Sequence, residues 1–253
     1  QLAGWPDALP NTPGVFEARL RTERHGAVRR SEEPTLWVVS RMTDAPAIDG
    51  DLAEYADMPA MDLDTQAALD PPDAVANKLW TSTQDLSVKA HLAWDSDPLS
   101  FAARVTDEAH VQEQTGSRVW TNDAIQFAID PLNDATGAHF AGVSGYDEDD
   151  AEFGFALTTE GPEVWRWHGG AEGPVEGAQI AVVRGEAATF YEVALPSSAL
   201  TDRGPAAGMA MGVNFIVLDA DAPGKRALYW MGLTEGIAGG KDPALFNTFV
   251  LRE

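Results

Sequence analysis

The stretch that decides the fold is VWTNDAIQFAIDPLNDATG, from Val119 to Gly137. Within it, Ile125, Phe127 and Ile129 alternate with small or polar residues, and turn-forming residues stand on both sides. A period of two is typical of a β-strand with one buried face. The polar segment that contains Trp120, just ahead of this strand, and the acidic turn just behind it are the two places where we look for function.

The same alternation recurs along most of the chain, in LSVKAHLAW (86–94), LSFAARV (99–105), FGFAL (153–157), TFYEVAL (189–195) and MAMGVNFIVL (209–218). Helical pattern is confined to about one turn at Pro196–Leu200. Many short strands separated by turn residues predict an all-β fold, an antiparallel β-sandwich of the jelly-roll type. We expect residues 1–45 to be an N-terminal extension packed on the sandwich and residues 46–253 to be the sandwich itself.

Composition removes several classes of function. The chain has 253 residues and a formal net charge of −23, which repels nucleic-acid phosphates and anionic lipid headgroups. It has no cysteine, so disulfides, thiol nucleophiles and thiolate metal sites are excluded. No apolar run reaches the roughly 20 residues that span a bilayer. The N-terminus has no basic, apolar leader, so we expect a signal peptide to be absent from this chain.

Two acidic segments suggest a cation site. DPLND closes the strand after Ile129, and the run YDEDD follows at 146–150. One interpretation is a solvated turn; the other is a Ca²⁺ site, because Ca²⁺ takes hard oxygen ligands that converge from loops. The predicted ligands are Asp130, Asn133, Asp147, Asp149 and Asp150.

An ordered set of segments resembles family 9 carbohydrate-binding modules. The set runs from PAIDG-DLAEY (46–55) through LAWDSDPLSFAARVTD (92–107), VWTNDAIQFAIDPLND (119–134) and YDEDDAEFGFAL (146–157), and continues to KDPALFNTFVL (241–251). The resemblance covers residues 46–253 and implies a β-sandwich that binds sugar without catalysis. It also implies loops supported by calcium and two tryptophan rings that enclose a sugar at a chain end.

The residues that the resemblance assigns to the sugar are only partly present. The first stacking tryptophan corresponds to Trp120, and its polar partner corresponds to Gln126, where glutamate is expected. A family arginine corresponds to Gly154, and the second stacking tryptophan corresponds to Gly240. The resemblance therefore supports the fold more strongly than it supports that mode of sugar binding.

The tryptophans can serve the core or a ligand. Indole rings stack on the C–H faces of sugars, and they also fill cores. We assign Trp120 to sugar binding, together with Asn122 and Gln126, and keep a core role as the alternative. Trp94 and Trp230 continue apolar alternations and are expected in the core. Trp165 and Trp167 share one strand face, and we expect them to be buried against the other sheet.

The leading hypothesis is a non-catalytic carbohydrate-binding module, with a sugar site that has lost some family residues. It would be an accessory domain of an exported polysaccharide-processing protein, extracellular or periplasmic, with oligo- or polysaccharide as its partner. The alternative is a haem-binding electron-transfer domain, for which Met58, Met61, Met209, Met211 and Met231 would offer sulfur ligands. A glycoside-active enzyme ranks third, because no positioned acid and base pair is evident.

Overall fold

The computed structural model describes residues 35–135, 145–200 and 204–253, together with three short strands before residue 35. The strands are β1 (Val15–Glu17), β2 (Glu23–Arg24), β3 (Ala27–Val28), β4 (Thr35–Ser40), β5 (Met61–Leu63), β6 (Leu69–Asp70), β7 (Leu86–Trp94), β8 (Leu99–Asp107), β9 (Ala124–Asp130), β10 (Ala151–Thr158), β11 (Gly161–His168), β12 (Gly173–Pro174), β13 (Gln179–Arg184), β14 (Ala188–Leu195), β15 (Ala210–Asp219), β16 (Tyr229–Gly232) and β17 (Asn247–Arg252). The helical segments within the described residues are α1 (Ser197–Leu200) and 3₁₀ turns at Ala53–Tyr55, Gln66–Ala68, Gly116–Thr121 and Pro243–Leu245.

The strands form a sandwich of two main sheets. The larger sheet has the order β1-β4-β17-β15-β9-β10-β11-β12, with β16 and β6 added beside β15. The smaller sheet has the order β13-β14-β8-β7-β5, and β2 and β3 form a separate pair. The predicted β-sandwich is confirmed. The pairing is antiparallel except that β4 runs parallel to β17, so the larger sheet is mixed.

The core lies between the two main sheets and follows from the alternation seen in the sequence. On β9, Ile125, Phe127 and Ile129 face inward, each with no more than 1% of its surface exposed. Phe101 of β8 meets Phe127 at 5.1 Å and Phe215 of β15 at 5.2 Å between ring centroids, so aromatic contacts join the sheets. Phe153 and Phe155 of β10 complete this cluster. Burial of such side chains is the main favourable term in folding.

Chain segments outside the sheets cover the outer face of the smaller sheet. Met42 and Tyr55 pack against Ala93 and Ala102 there. Glu192, fully buried on β14, accepts hydrogen bonds from the amides of Asp49 and Gly50 at 3.0 and 2.9 Å. These bonds fix the PAIDG turn on the sheet.

The predicted N-terminal extension contributes directly to the sandwich. β4, within residues 1–45, lies between β1 and β17 in the larger sheet. Its residues Leu36, Val38 and Val39 are buried. The division near residue 45 stays a prediction, and the remaining parts of the extension lie mostly outside the described residues. Trp94 is in the core as expected, and its indole N–H lies 3.0 Å from the Arg252 carbonyl oxygen.

Candidate functional site

The outer face of the larger sheet forms the floor of a pocket. Side chains at alternate positions of β9, β10 and β15 point outward there. Gln126 of β9 stands opposite Gly154 of β10 on one side and Ile216 of β15 on the other. Leu218 continues the apolar floor along β15. The pocket holds about 610 Å³, within the range of small-ligand sites.

Gln126 is the uncharged polar group of this floor, to which β10 also contributes Glu152. It is 7% exposed and lines the pocket, and its side-chain amide makes no hydrogen bond to any part of the chain that the structure describes. The amide atoms themselves are open to the pocket, so a ligand or water that enters it supplies their hydrogen bonds. Its two donor hydrogens and its acceptor oxygen are therefore available for hydroxyl groups that enter the pocket.

Three tryptophans line the pocket: Trp120 from the 3₁₀ turn, Trp167 from β11 and Trp230 from β16. Trp120 is 39% exposed, which fits a ligand-facing ring better than a core ring. The core prediction for Trp230 was wrong: it packs with the outer-face cluster, while its neighbours Tyr229 and Met231 are buried between the sheets. A strand reverses its facing direction at every residue, which separates Trp230 from these neighbours.

The expected burial of Trp165 and Trp167 against the other sheet was also wrong. Val164 packs in the core between the sheets, and side chains alternate along a strand. Trp165 and Trp167 therefore point away from that core. Trp165 lies beside Gly116, and only Trp167 reaches the pocket wall. The shared face was predicted correctly, but the choice of face was not.

Charged side chains form the rim. Lys241 Nζ lies 2.5 Å from Glu152 Oε1, so this pair is internally neutral. The Arg226 guanidinium lies over the Trp120 ring, 5.4 Å from its centroid, and makes no ion pair with any residue that the structure describes. Glu172 lines the same pocket. Paired donors and acceptors around aromatic walls suit a neutral ligand rich in hydroxyl groups.

The segment that carries Trp120 is held by its two polar neighbours. Asn122 is 2% exposed: its side-chain nitrogen donates to the Lys225 carbonyl at 2.7 Å, and its oxygen accepts from the Glu113 amide at 3.3 Å. Asn122 was predicted to contact sugar, but the structure does not bring it to the pocket wall. It fixes the turn that positions Arg226 over Trp120.

Asp123 has a similar bracing role. Its two carboxylate oxygens accept from the amides of Val111 and Ala220, each at 2.6 Å. His110 Nδ1 lies 3.5 Å from the same carboxylate. Burial, with Asp219 and Asp107 nearby, raises the pKa of Asp123 to about 9. This carboxyl group joins three chain segments beneath the Trp120 turn.

Asp219 belongs to the same buried acidic group, and it makes stability dependent on pH. Burial raises its pKa to about 8, with Asp107, Asp221 and Asp85 adding to the shift and the Tyr229 hydroxyl, which donates to it, opposing it. The unfolded value is about 3.9, so the folded state holds this proton more tightly. Its contribution to stability is therefore complete below about pH 4 and is lost as pH rises towards 8.

We expect Asp219→Asn to flatten this pH dependence, because asparagine cannot ionise. The free energy of unfolding in urea, measured at pH 5, 6.5 and 8, should fall less steeply in the variant than in the native protein. Asp57→Asn, at an exposed site, is the control and should keep the native slope. Equal slopes for Asp219→Asn and the native protein would contradict the assignment.

Acidic side chains from two segments converge at the end of β9. Carboxylate oxygens of Asp130, Asp134 and Asp149 all lie within 4.8 Å of one another. Burial raises the pKa of Asp149 to about 6, and the Asp147 side chain adds to the shift. Three hard oxygen donors at this spacing fit the chemistry of a Ca²⁺ ligand set. Asp134 was not predicted, although it stands in the same turn.

The other predicted ligands have structural partners, and so do Asp130 and Asp149, which accept from the amides of Ala135 and Leu132 at 3.3 and 3.2 Å. Asp150 accepts from the Asp147 amide at 2.8 Å, and Asp147 accepts from the Asp149 amide at 3.2 Å. Burial raises the pKa of Asp150 to about 7. The Asn133 side-chain nitrogen is 3.4 Å from the Thr248 hydroxyl. These residues shape the loops around the three carboxylates.

Sequence reasoning missed the other aromatic and charged members of the site, which are Glu152, Trp167, Glu172, Arg226, Trp230 and Lys241. The useful signal was Gly154, since a glycine within a strand marks a place where another group approaches closely. Gly240 lines a neighbouring depression and not this pocket. The methionines considered for haem do not face the pocket: Met61, Met211 and Met231 are buried between the sheets.

The family described as carbohydrate family 9 binding domain-like matches residues 64–253. The chain belongs to this family. The match covers most of the family 9 domain described above, including every wall of the pocket. A search among curated proteins found no match. In the described residues of this family 9 domain, no helix has the length and apolar character needed to cross a membrane.

Solved structures have the same fold. A family 9 carbohydrate-binding module from Caldicellulosiruptor kristjanssonii in complex with cellotriose is 17% identical, with 86% of this chain and 93% of that chain covered and a TM-score of 0.62. The module from the same organism in complex with glucose is also 17% identical. The match covers 86% of this chain and 95% of that chain, with a TM-score of 0.64. A putative carbohydrate-binding protein from Bacteroides uniformis is 14% identical. The match covers 86% of this chain and 99% of that chain, with a TM-score of 0.58.

Proposed function

We propose that the chain is a non-catalytic carbohydrate-binding module and that the Trp120 pocket holds a neutral oligosaccharide. The observation that carries this proposal is the side-chain amide of Gln126, which opens onto the floor of a pocket lined by three indoles and has no protein partner among the described residues. Indole faces cover the apolar C–H faces of a sugar, while the amide and the charged rim bind its hydroxyls. Family membership and the sugars bound by the similar modules support the same ligand class.

The charges of the pocket favour a neutral sugar over an acidic one. Glu152 is paired with Lys241, and the pocket lining also includes one further acidic residue, Glu172, and one further basic residue, Arg226, so its formal charges sum to zero. The net charge of −23 outside the pocket disfavours the approach of an anionic chain. Binding of a neutral sugar should therefore change little with salt concentration.

Isothermal titration with glucose, cellotriose and a galacturonic acid trisaccharide tests the ligand class. We expect the neutral probes to bind with millimolar to micromolar dissociation constants, which correspond to binding free energies of about 4 to 8 kcal/mol. The acidic trisaccharide should not bind. Absence of binding to every neutral oligosaccharide on a broader panel would overturn the proposal.

The binding role, rather than hydrolysis, is supported by the carboxylates of the pocket. A glycosidase needs two carboxyl groups that flank the bond to be cleaved. Glu152 is held by Lys241, and Glu172 is the other acidic residue of the pocket wall. Incubation with cellotriose should release no new reducing ends. We propose further that the module serves an exported polysaccharide-processing protein, in an extracellular or periplasmic location, which fractionation of the producing cells would test.

We also propose that Asp130, Asp134 and Asp149 hold Ca²⁺. The ion would offset the repulsion among these carboxylates, and a ligand that binds only the folded state stabilises it. At 100 times the dissociation constant the gain is about 2.7 kcal/mol. For a domain of this size we expect the melting temperature to rise by about 5–10 °C.

Thermal melts in 1 mM CaCl₂ and in EDTA measure this gain. Asp134→Asn should lose most of the difference, whereas Asp64→Asn, exposed and remote in sequence from the cluster, should keep it. An identical melting temperature with Ca²⁺ and with EDTA would exclude a calcium site that matters for stability.

A further inference from the structure

Trp167 and Gly154 fit together closely. A Cβ atom at Gly154 would lie 2.5 Å from Cη2 of the Trp167 ring and 2.9 Å from a methyl carbon of Val119. Side-chain contacts this short do not occur without movement, so the indole occupies the space that any other residue at 154 would fill. Gly154 lies within regular β10 pairing, and therefore its role is to leave room and not to adopt an unusual backbone conformation.

A hydrogen bond fixes the orientation of this ring. The Trp167 indole N–H donates to the Ser117 carbonyl at 3.0 Å. Ser117 and Trp120 are three residues apart in one 3₁₀ turn, and both line the pocket. Residues three apart in a 3₁₀ helix lie on the same side, about 6 Å along its axis. The turn thus holds Trp120 itself and anchors Trp167 beside it.

Trp165 offers an internal comparison. It is two residues from Trp167 on the same face of β11, but it packs beside Gly116 and does not line the pocket. Its indole nitrogen is buried and has no hydrogen-bond partner among the described residues. β11 therefore carries two different rings. Trp167 lines the pocket and is oriented by a hydrogen bond, whereas Trp165 serves packing.

We propose that Trp167 is a second sugar-contact residue and that Gly154 is its positioning residue. This inference rests on the proposed carbohydrate-binding function. A ligand seated over Gln126 would then touch two indoles from separate elements, so the site recognises an oligosaccharide through more than one ring contact. The role assigned to Trp167 needs no ring at Gly240, which is outside the pocket wall.

The test is titration of matched variants with cellotriose. Trp167→Leu removes the aromatic face but keeps apolar volume, and loss of one ring contact should weaken binding about 3- to 10-fold. Trp165→Leu, the same change two residues away, should stay within about twofold of the native protein. Gly154→Ala should weaken binding like Trp167→Leu, and Gly240→Ala, where a Cβ meets no atom within 4 Å, should not.

A double variant separates positioning from general damage. If Gly154 acts through Trp167, adding Gly154→Ala to Trp167→Leu should cause no further loss of affinity. Circular dichroism and melting temperature identify which variants are folded.

The outcomes separate this inference from the proposed function. Native binding that is lost in Trp120→Ala but unchanged in Trp167→Leu overturns the inference and leaves the proposed function standing. A further loss in the double variant overturns the positioning role of Gly154. Failure of the native protein to bind any neutral oligosaccharide overturns both proposals.

Discussion

Replacing Trp120 with alanine is expected to abolish detectable sugar binding while changing the free energy of unfolding by about 1 kcal/mol or less. The ring is 39% exposed and lines the pocket rather than the core between the sheets, so its removal opens no closed cavity. The Arg226 guanidinium rests on this ring, at 5.4 Å from its centroid, so a ligand would lose a stacking surface and a positioned donor together. A millimolar dissociation constant already requires about 4 kcal/mol of binding free energy. Loss of both contacts should therefore bring binding below detection.

Chemical denaturation and oligosaccharide titration of the same Trp120→Ala sample separate the two roles. Leu228→Ala, at an exposed apolar position close in sequence to Arg226, is the control and should preserve both stability and binding. If Trp120 belonged to the core, the variant would instead lose about 3–5 kcal/mol of stability through the cavity left behind. Such a loss with unchanged binding would reject the sugar-contact role.

Replacing Asp123 with alanine is expected to cost about 2–4 kcal/mol of folding stability. The change leaves the amides of Val111 and Ala220 without their acceptor, and each unsatisfied buried donor costs about 1–3 kcal/mol. Because Asp123 ties the turns that carry Trp120 and Arg226, sugar affinity should fall as well.

Urea unfolding of Asp123→Ala measures the cost directly. Asp221→Ala, in the neighbouring turn but exposed, is the control and should change stability by no more than about 0.5 kcal/mol. Equal stability for the two variants would show that the hydrogen bonds of Asp123 are replaced by water without penalty.

Alternation in the sequence was sufficient to predict the fold class, a β-sandwich. A residue such as Phe127 faces the core because its neighbours at i±2 are also apolar, and this signal is local. The parallel pairing of β4 with β17 could not be predicted this way, since it joins strands more than 200 residues apart. The outward turn of Trp167 and Trp230 was missed for a related reason: a period of two shows that residues share a face, but not which face is covered.

The candidate site was predictable only where one short segment supplies it. Trp120 and Gln126 stand six residues apart, and both line the pocket. Arg226 and Lys241 come from later turns whose positions depend on Asn122 and on the Glu152 pair. Asp130 and Asp149 converge because Asp130 ends β9 and Asp149 lies two residues before its neighbour β10.

The parallel pairing of β4 with β17 determines how much of the chain must be expressed to obtain a soluble, folded protein. The family match begins at residue 64, but β17 is covered on one side by Thr35–Ser40. A fragment cut at residue 64 would present β17 as a long open edge, with unpaired backbone groups that recruit other chains. Such a fragment would also lack Val39 from the core. Soluble expression therefore calls for a start upstream of Thr35, well before the point that similarity to relatives would suggest.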